Sequence, residues 1–288
     1  MRSVLVTGCK GQLGIELSRS PPAGTETHGV DLPELDITDA TAVMRHLESL
    51  RPQVVINCAA YTAVDRAESD ADAAFRVNRD GARNLALAAT RIGARIVHIS
   101  TDFVFDGCKS SPYLPDDAPS PLGVYGQSKL EGERGVLDAA ASALVVRTAW
   151  LYSAHGSNFV KTMLRLMQEK PELRVVADQI GTPTAATSLA RALWALLEAN
   201  APAGIYHFSD AGAASWYDLA CAVRELALPH LAATPAPIVP IRTQDYPTPA
   251  RRPAYSVLDK TATWALIGNG RHWREPLAEV VNALLAAR

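Results

Sequence analysis

Apolar residues along this chain fall into two alternating patterns, short unbroken runs and longer stretches with helical spacing. An unbroken run occupies Gln53–Ala60, and Val4–Thr7, Arg95–Asp102, Ala143–Thr148 and Thr25–Val30 read as further strands. A run without polar alternation is what a strand covered on both faces needs, and strands so covered belong to parallel sheets flanked by helices. Segments of helical character separate the runs: Ile15–Arg19, a stretch ending near Ser49, roughly Ala71 to Ile92, and Ser128 to Ala140. This strand and helix alternation predicts an α/β fold, a doubly wound parallel sheet with right-handed crossovers. Ligands of such sheets sit at the carboxyl ends of the strands. Functional residues are therefore expected at Gly8 to Gly14, Asp31, Ala59 to Thr62, Thr101 and the segment after Thr148.

Beyond Thr148 the alternation loosens. Breaks at Pro171, Pro183, Pro202 and the cluster Pro235, Pro237 and Pro240 cut the chain into shorter pieces, although Leu189–Ala199 reads as helix and Gly204–Ser209 as strand. The expected division is a Rossmann nucleotide-binding domain over residues 1–147 and a smaller, mainly substrate-binding lobe over 148–288, with about 186–209 returning to the main sheet.

Composition narrows the function classes. With 288 residues, 48% hydrophobic and 20% charged, the chain can bury a large core. A net charge of -2 and a pI near 6.4 give no electrostatic footprint for nucleic acid or an anionic membrane surface. The four cysteines, Cys9, Cys58, Cys108 and Cys221, lie far apart, which suits reduced thiols better than a disulfide framework or a zinc site. No signal sequence and no apolar run of bilayer-spanning length is apparent, so the expected location is the cytoplasm.

The first candidate site is the sequence Val4-Leu5-Val6-Thr7-Gly8-Cys9-Lys10-Gly11-Gln12-Leu13-Gly14. A strand feeds into three glycines spaced three apart and then into a helix. Glycines there permit a sharp turn, approach of backbone N–H groups to phosphates, and close packing of helix on strand. The helix N-terminus adds unpaired donors and a positive dipole, so a dinucleotide pyrophosphate fits. Asp31, at the end of the next strand, stands near the separation of about 20 residues at which an acid meets the adenosine ribose. The second candidate is Tyr125-Gly126-Gln127-Ser128-Lys129. A Tyr and a Lys four apart share a helix face, and a nearby ammonium favours the phenolate, drawing the phenol toward working pH as a general acid or base. Thr101 ends a strand upstream, so hydroxyl, phenol and ammonium could converge on a nicotinamide.

These motifs, in this order with Asn57-Cys58-Ala59-Ala60 and Ser100-Thr101-Asp102-Phe103-Val104-Phe105-Asp106-Gly107, resemble the extended short-chain dehydrogenase/reductase superfamily. Within it, Ala59–Glu68, Tyr125–Glu133, Arg147–Tyr152, Asn158-Phe159, Asp178–Thr184 and Tyr246–Pro253 resemble the dTDP-4-dehydrorhamnose reductase family, nearly end to end. The resemblance implies reduction of the 4-keto group of a dTDP-sugar, dTDP-4-dehydro-L-rhamnose, with Tyr125 as proton donor, Lys129 lowering its pKa and holding the nicotinamide ribose, and Thr101 bonding the same oxygen. It assigns Gly8, Gly11, Gln12, Leu13 and Gly14 to the pyrophosphate turn, Asp36 and Ile37 to the adenine side, and Ala60, Tyr61 and Thr62 to strand-end contacts with the cofactor. Asp102 and Trp150 are expected to face the sugar and Arg252 its diphosphate, while Asn78 reads either as a further polar member of the site or as a residue crossing a helix.

Cofactor choice stays open between NADH and NADPH, because Asp31 favours a free 2′-hydroxyl whereas Lys10 could offset its charge. Phe103 after Asp102 removes the acid pair of related dehydratases and disfavours elimination. The family's metal-linked dimer uses an acid matched by Glu16 and later acids that are absent from Ala185–Arg191; no metal is expected, and a homodimer is left open. Two other readings compete: a sugar-nucleotide 4-epimerase that recycles bound NAD, and a non-catalytic subunit resembling the regulatory beta subunit of methionine adenosyltransferase. The intact Tyr125, Lys129 and Thr101 argue against the latter.

Overall fold

The structure is a computed structural model that describes residues 2–231 and 234–287; Met1 and Arg288, the outer limits of the two expected segments, lie outside the described residues, as do Ala232 and Ala233. The elements run β1 (Arg2–Thr7), α1 (Gln12–Arg19), β2 (Thr25–Val30), α2 (Ala40–Leu50), β3 (Val54–Asn57), α3 (Val64–Ala67), α4 (Ala71–Phe75), α5 (Ala82–Ile92), β4 (Arg95–Thr101), α6 (Val124–Ala139) and β5 (Leu144–Thr148). They continue with β6 (Leu151–Tyr152), α7 (Phe159–Glu169), β7 (Leu173–Val176), β8 (Ile180–Gly181), β9 (Thr184–Ala185), α8 (Ala186–Glu198), β10 (Gly204–His207), β11 (Ala214–Ser215), α9 (Trp216–Ala227), β12 (Ile238–Ile241), α10 (Thr261–Ile267) and α11 (Arg274–Ala286).

Six strands form one parallel sheet in the order β10-β5-β4-β3-β1-β2. Successive residues of each strand serve opposite cores, which is why the runs carry no polar alternation. Val4, Val6, Ile56 and Val146 pack with α1 and with Leu189 and Leu193 of α8 on one face. Leu5, Val55, Ile96 and Val145 pack with Val43 and Leu47 of α2, Leu85 of α5 and Val136 of α6 on the other. The chain leaves β1 toward β2 on one side and returns to β3 on the other, so the order reverses between β1 and β3 and opens a crevice at their carboxyl ends.

Two expected elements come out differently. The strand foreseen over Gln53–Ala60 ends at Asn57, freeing Cys58–Ala60 to line the crevice. The helix foreseen over Ala71–Ile92 is broken into α4 and α5 by a π-helical segment, Arg76–Gly81, which turns Asn78 inward to full burial. The later part of the chain contributes β10 to the edge of the main sheet, parallel to β5. It also builds a second core in which Met163 and Leu164 of α7, Val223 of α9 and Leu277 and Val281 of α11 pack beside the parallel pair β7 and β12. A capping box at Ser215 and Asp218 starts α9.

One ion pair lies inside the first core. Arg147 of β5 meets Glu133 of α6 through two bonds, Nε to Oε1 at 2.8 Å and Nη2 to Oε2 at 2.7 Å, with both side chains 2% exposed. Ser100 donates to the same carboxylate, and Arg147 also donates to the Pro115 carbonyl at 3.2 Å. Because both charges are desolvated, removing one strands the other. Arg147→Met should cost about 3 to 5 kcal/mol of unfolding free energy, read as a lowered midpoint in urea denaturation.

Candidate active site

The turn after β1 is shaped by two tight backbone approaches. Gly8 has φ +67 and a Cβ there would stand 2.7 Å from the Ala59 nitrogen, while a Cβ on Gly14 would overlap the Gly8 carbonyl. Gly11 precedes α1 without any side-chain cap, and the first helical bond runs from Ile15 N to Gly11 O at 3.0 Å. The N–H groups of Gln12, Leu13 and Gly14 therefore open the helix unpaired within it and can receive an anion. From this turn a cleft of about 760 Å³ extends along the carboxyl end of the sheet. Gly8, Gly11, Gln12, Leu13 and Gly14 line its floor; Asp31, Asp36 and Ile37 line one end. Ala60, Tyr61 and Thr62 form its middle, and Thr101, Asp102, Tyr125 and Lys129 the other end, where Trp150 and Arg252 reach in from later in the chain.

Asp31 accepts from the backbone nitrogens of Lys10 at 3.0 Å and Leu32 at 2.9 Å, which fixes its carboxylate at the end of β2. Lys10 does not face that carboxylate as the sequence suggested. Its ammonium donates to both Glu34 oxygens and to the Leu32 carbonyl, each at 3.1 Å. The strand-end loop is held by Asn78: Oδ1 accepts from Tyr61 N at 2.8 Å, and Nδ2 donates to Tyr61 O at 3.1 Å and to Ser128 Oγ at 2.9 Å. Asn78 thus joins the loop to α6 between Tyr125 and Lys129. The first residue of α1 reaches the other way, with Gln12 Oε1 accepting from Ser153 Oγ at 3.1 Å and Asn158 Nδ2 at 2.8 Å. Glu16, the residue compared with a metal-linking acid, lies with Oε1 3.4 Å from His155 Nε2, which accepts from Arg19 at 2.9 Å.

Tyr125 lies in the first turn of α6, edge-on to Phe103 with ring centroids 5.6 Å apart. Burial pushes its phenol up to about 12, the Asp102 charge adds to the rise, and the Thr101 hydroxyl opposes it. The sequence expectation was the reverse, a phenol lowered by Lys129. Lys129 is buried and its Nζ donates to the Ile99 carbonyl at 2.6 Å, so it serves the end of β4 and leaves desolvation to dominate at the phenol. Burial also draws the Lys129 ammonium down to about 8, opposed by Glu133 one helical turn on. Asp102 is 2% exposed and raised by burial to about 6. Its Oδ1 accepts from Thr101 Oγ1 at 3.1 Å, and its Oδ2 has no partner among the described residues. That oxygen is shielded from solvent, although other atoms of Asp102 line the cleft.

Facing these groups, Trp150 adopts a left-handed backbone, φ +47, and stacks flat on Trp216 at 3.6 Å. Arg252 donates through Nη2 to Asp65 Oδ2 at 2.7 Å. Sequence reading did not single out Trp216 or Asp65. Their partners are 66 and 187 residues away, and no local spacing signals such contacts.

The profile of the family described as RmlD substrate binding domain matches residues 1–286. The chain belongs to that family. Among relatives, the family member described as spore coat polysaccharide biosynthesis protein SpsK of Bacillus subtilis is 43% identical, covering 97% of this chain and 96% of its own. A dTDP-4-dehydrorhamnose reductase of Burkholderia thailandensis is 43% identical over 98% of this chain and 99% of its own length. The crystal structure of dTDP-4-dehydrorhamnose reductase from Bacillus anthracis in complex with NADP is 36% identical, with a TM-score of 0.93, covering 98% of this chain and all (100%) of that one.

The Asn78 junction yields a direct expectation. Asn78→Ala removes the partners of the half-buried Tyr61 N–H and carbonyl and one bond to Ser128 Oγ, and should lower stability by about 1 to 3 kcal/mol. It should also weaken nicotinamide-nucleotide binding, measured by fluorescence titration.

Proposed function

We propose that this chain reduces the 4-keto group of dTDP-4-dehydro-L-rhamnose to dTDP-L-rhamnose, the last step of dTDP-rhamnose synthesis, using NADH or NADPH. The observation that carries the reading is the presence in one cleft of the glycine turn, the set Thr101, Tyr125 and Lys129, and the opposite wall of Asp102, Trp150 and Arg252. Membership of the family and the names of its members support the same substrate. Residues 1–147 then serve mainly the cofactor and residues 148–288 mainly the sugar nucleotide.

A dinucleotide fits the residues present. The open first turn of α1 would take the pyrophosphate, Asp31 the adenosine ribose, and Asp36 and Ile37 the adenine side. A reduced nicotinamide supplies hydride to the sugar C4 when bound. The protein's part is to hold and deliver the matching proton. Tyr125, its phenol raised to about 12, is protonated at neutral pH as an ordinary phenol is, so its Oη can give a proton to the alkoxide forming at O4. Lys129, charged below about 8, stabilises the phenolate left behind, and Thr101 steadies the same oxygen. Asp102 and Trp150 form the wall that faces the sugar, Trp150 closing it with an apolar face. Arg252 presents a guanidinium suited to a diphosphate.

Purified protein mixed with dTDP-4-dehydrorhamnose should oxidise NADH or NADPH, and Tyr125→Phe should slow this by about 10²- to 10⁴-fold. Failure of the folded wild type to oxidise either cofactor would overturn the reading. The pH profile follows from the direction at Lys129. Its ammonium is charged below about 8 and lost above it, so kcat/KM should hold through neutrality and fall as pH rises past about 8. A profile flat to pH 10 would contradict the role given to Lys129.

A further inference from the structure

The short helix α3 and the residue that ends it carry two carboxylates that the reaction itself does not use. Asp65 and Glu68 are three residues apart, on the loop that leads from the cofactor-facing Ala60–Thr62 into α4. Each is spent on a different wall of the cleft. Asp65 Oδ2 accepts from Arg252 Nη2 at 2.7 Å and its Oδ1 accepts from Ala250 N at 3.2 Å, so one carboxylate grips both the backbone and the guanidinium of the 250–252 segment. Glu68 Oε1 accepts from Val124 N, the first N–H of α6, at 2.9 Å.

That second contact matters because α6 has no cap of its own. Gly123 at its N-cap makes no side-chain bond, and the first intrahelical bond is Gln127 N to Gly123 O at 3.0 Å. Glu68 fills the place of the missing cap. A Cβ on Gly123 would stand 2.5 Å from Glu68 Oε1, so glycine there is what lets the carboxylate approach. A carboxylate at a helix N-terminus satisfies an orphan donor and opposes the dipole. The turn that it steadies is the one that carries Tyr125. The loop is itself fixed, with Tyr61 clamped by Asn78, its hydroxyl donating to Asp70 at 3.0 Å, and Arg66 donating to that hydroxyl at 3.0 Å.

We propose that Asp65 and Glu68 are positioning residues: Glu68 sets Tyr125 by capping α6, and Asp65 aims Arg252 at the sugar nucleotide. The inference rests on the reductase reading for its kinetic half and on geometry alone for its structural half. The two carboxylates should therefore separate in kinetics. Glu68→Ala should lower kcat by roughly 10- to 100-fold, since displacement of a reacting group by about an ångström costs that much, with the KM for NADH unchanged. Glu68→Gln keeps an acceptor oxygen and should recover most of the rate. Asp65→Ala should raise KM for the sugar nucleotide by about tenfold, the scale of one charge-assisted hydrogen bond, with kcat close to wild type.

The test combines this split with hydrogen–deuterium exchange at the amides of residues 123–128 in the full-length protein. Faster exchange in Glu68→Ala but not in Glu68→Gln, together with the kcat loss, supports the proposal. Unchanged exchange in Glu68→Ala, or equal kinetics in Glu68→Ala and wild type, overturns it for Glu68; an Asp65→Ala variant with unchanged KM overturns it for Asp65. If wild type does not turn over the sugar nucleotide, the reductase reading falls, and exchange at 123–128 still decides whether Glu68 holds α6. Should Glu68→Ala fail to fold, Glu68→Asp against Glu68→Gln carries the same comparison, the shortened carboxylate withdrawing from Val124 N where the amide keeps its acceptor.

Discussion

The site depends on how closely helix α6 is pressed against the end of β4. A Cβ at Gly126 would overlap the Phe103 carbonyl and one at Gly132 the Asn78 carbonyl, so the helix lies against its neighbours at backbone distance. Lys129 reaches the Ile99 carbonyl from that position, and Glu133 reaches Arg147 across the top of β5. The same contact surface that buries the ion pair also buries Lys129 and half-buries Tyr125. Desolvation is the common cause of the raised phenol and the lowered ammonium.

At neutral pH the chemistry starts from a neutral phenol and a charged ammonium, the states both groups have in water, with burial raising the one and lowering the other. A neutral phenol is a proton donor in waiting, and a buried ammonium whose outer partner is a carbonyl remains able to favour the phenolate once the proton has left. The cost of keeping these groups out of water is offset by saturating their neighbours with hydrogen bonds: Asn78 makes three, and Glu133 accepts from both Arg147 and Ser100. Not every buried polar atom nearby is matched: Asp102 Oδ2, His98 Nε2 and Thr148 Oγ1 have no partner among the described residues.

Much of this was legible in the sequence, for physical reasons that differ from part to part. The strands were visible because both faces of the sheet are covered, so Val4–Val6 and Ala143–Val146 are apolar at every position. Tyr125 and Lys129 were visible because a four-residue spacing places them on one helix face. What stayed hidden involves contacts across long separations or backbone irregularity. The π-helical turn that sends Asn78 inward leaves no mark on helical periodicity. Glu68 closes the Ala59–Glu68 motif, but no local spacing signals its bond to Val124 N, and the hold of Glu34 on Lys10 is equally silent in the sequence. The direction of the Tyr125 shift was misread because sequence spacing reports the nearby charge and is silent on burial.

The central claim is that hydride lands on the sugar C4 while Tyr125 supplies the proton. The direct measurement is turnover of dTDP-4-dehydrorhamnose with reduced nicotinamide deuterated at its transferable position, followed by NMR of the sugar. The account predicts one deuterium at the sugar C4 for each nicotinamide oxidised. Nicotinamide oxidised with no deuterium at C4, or a sugar epimerised without net oxidation, would contradict it.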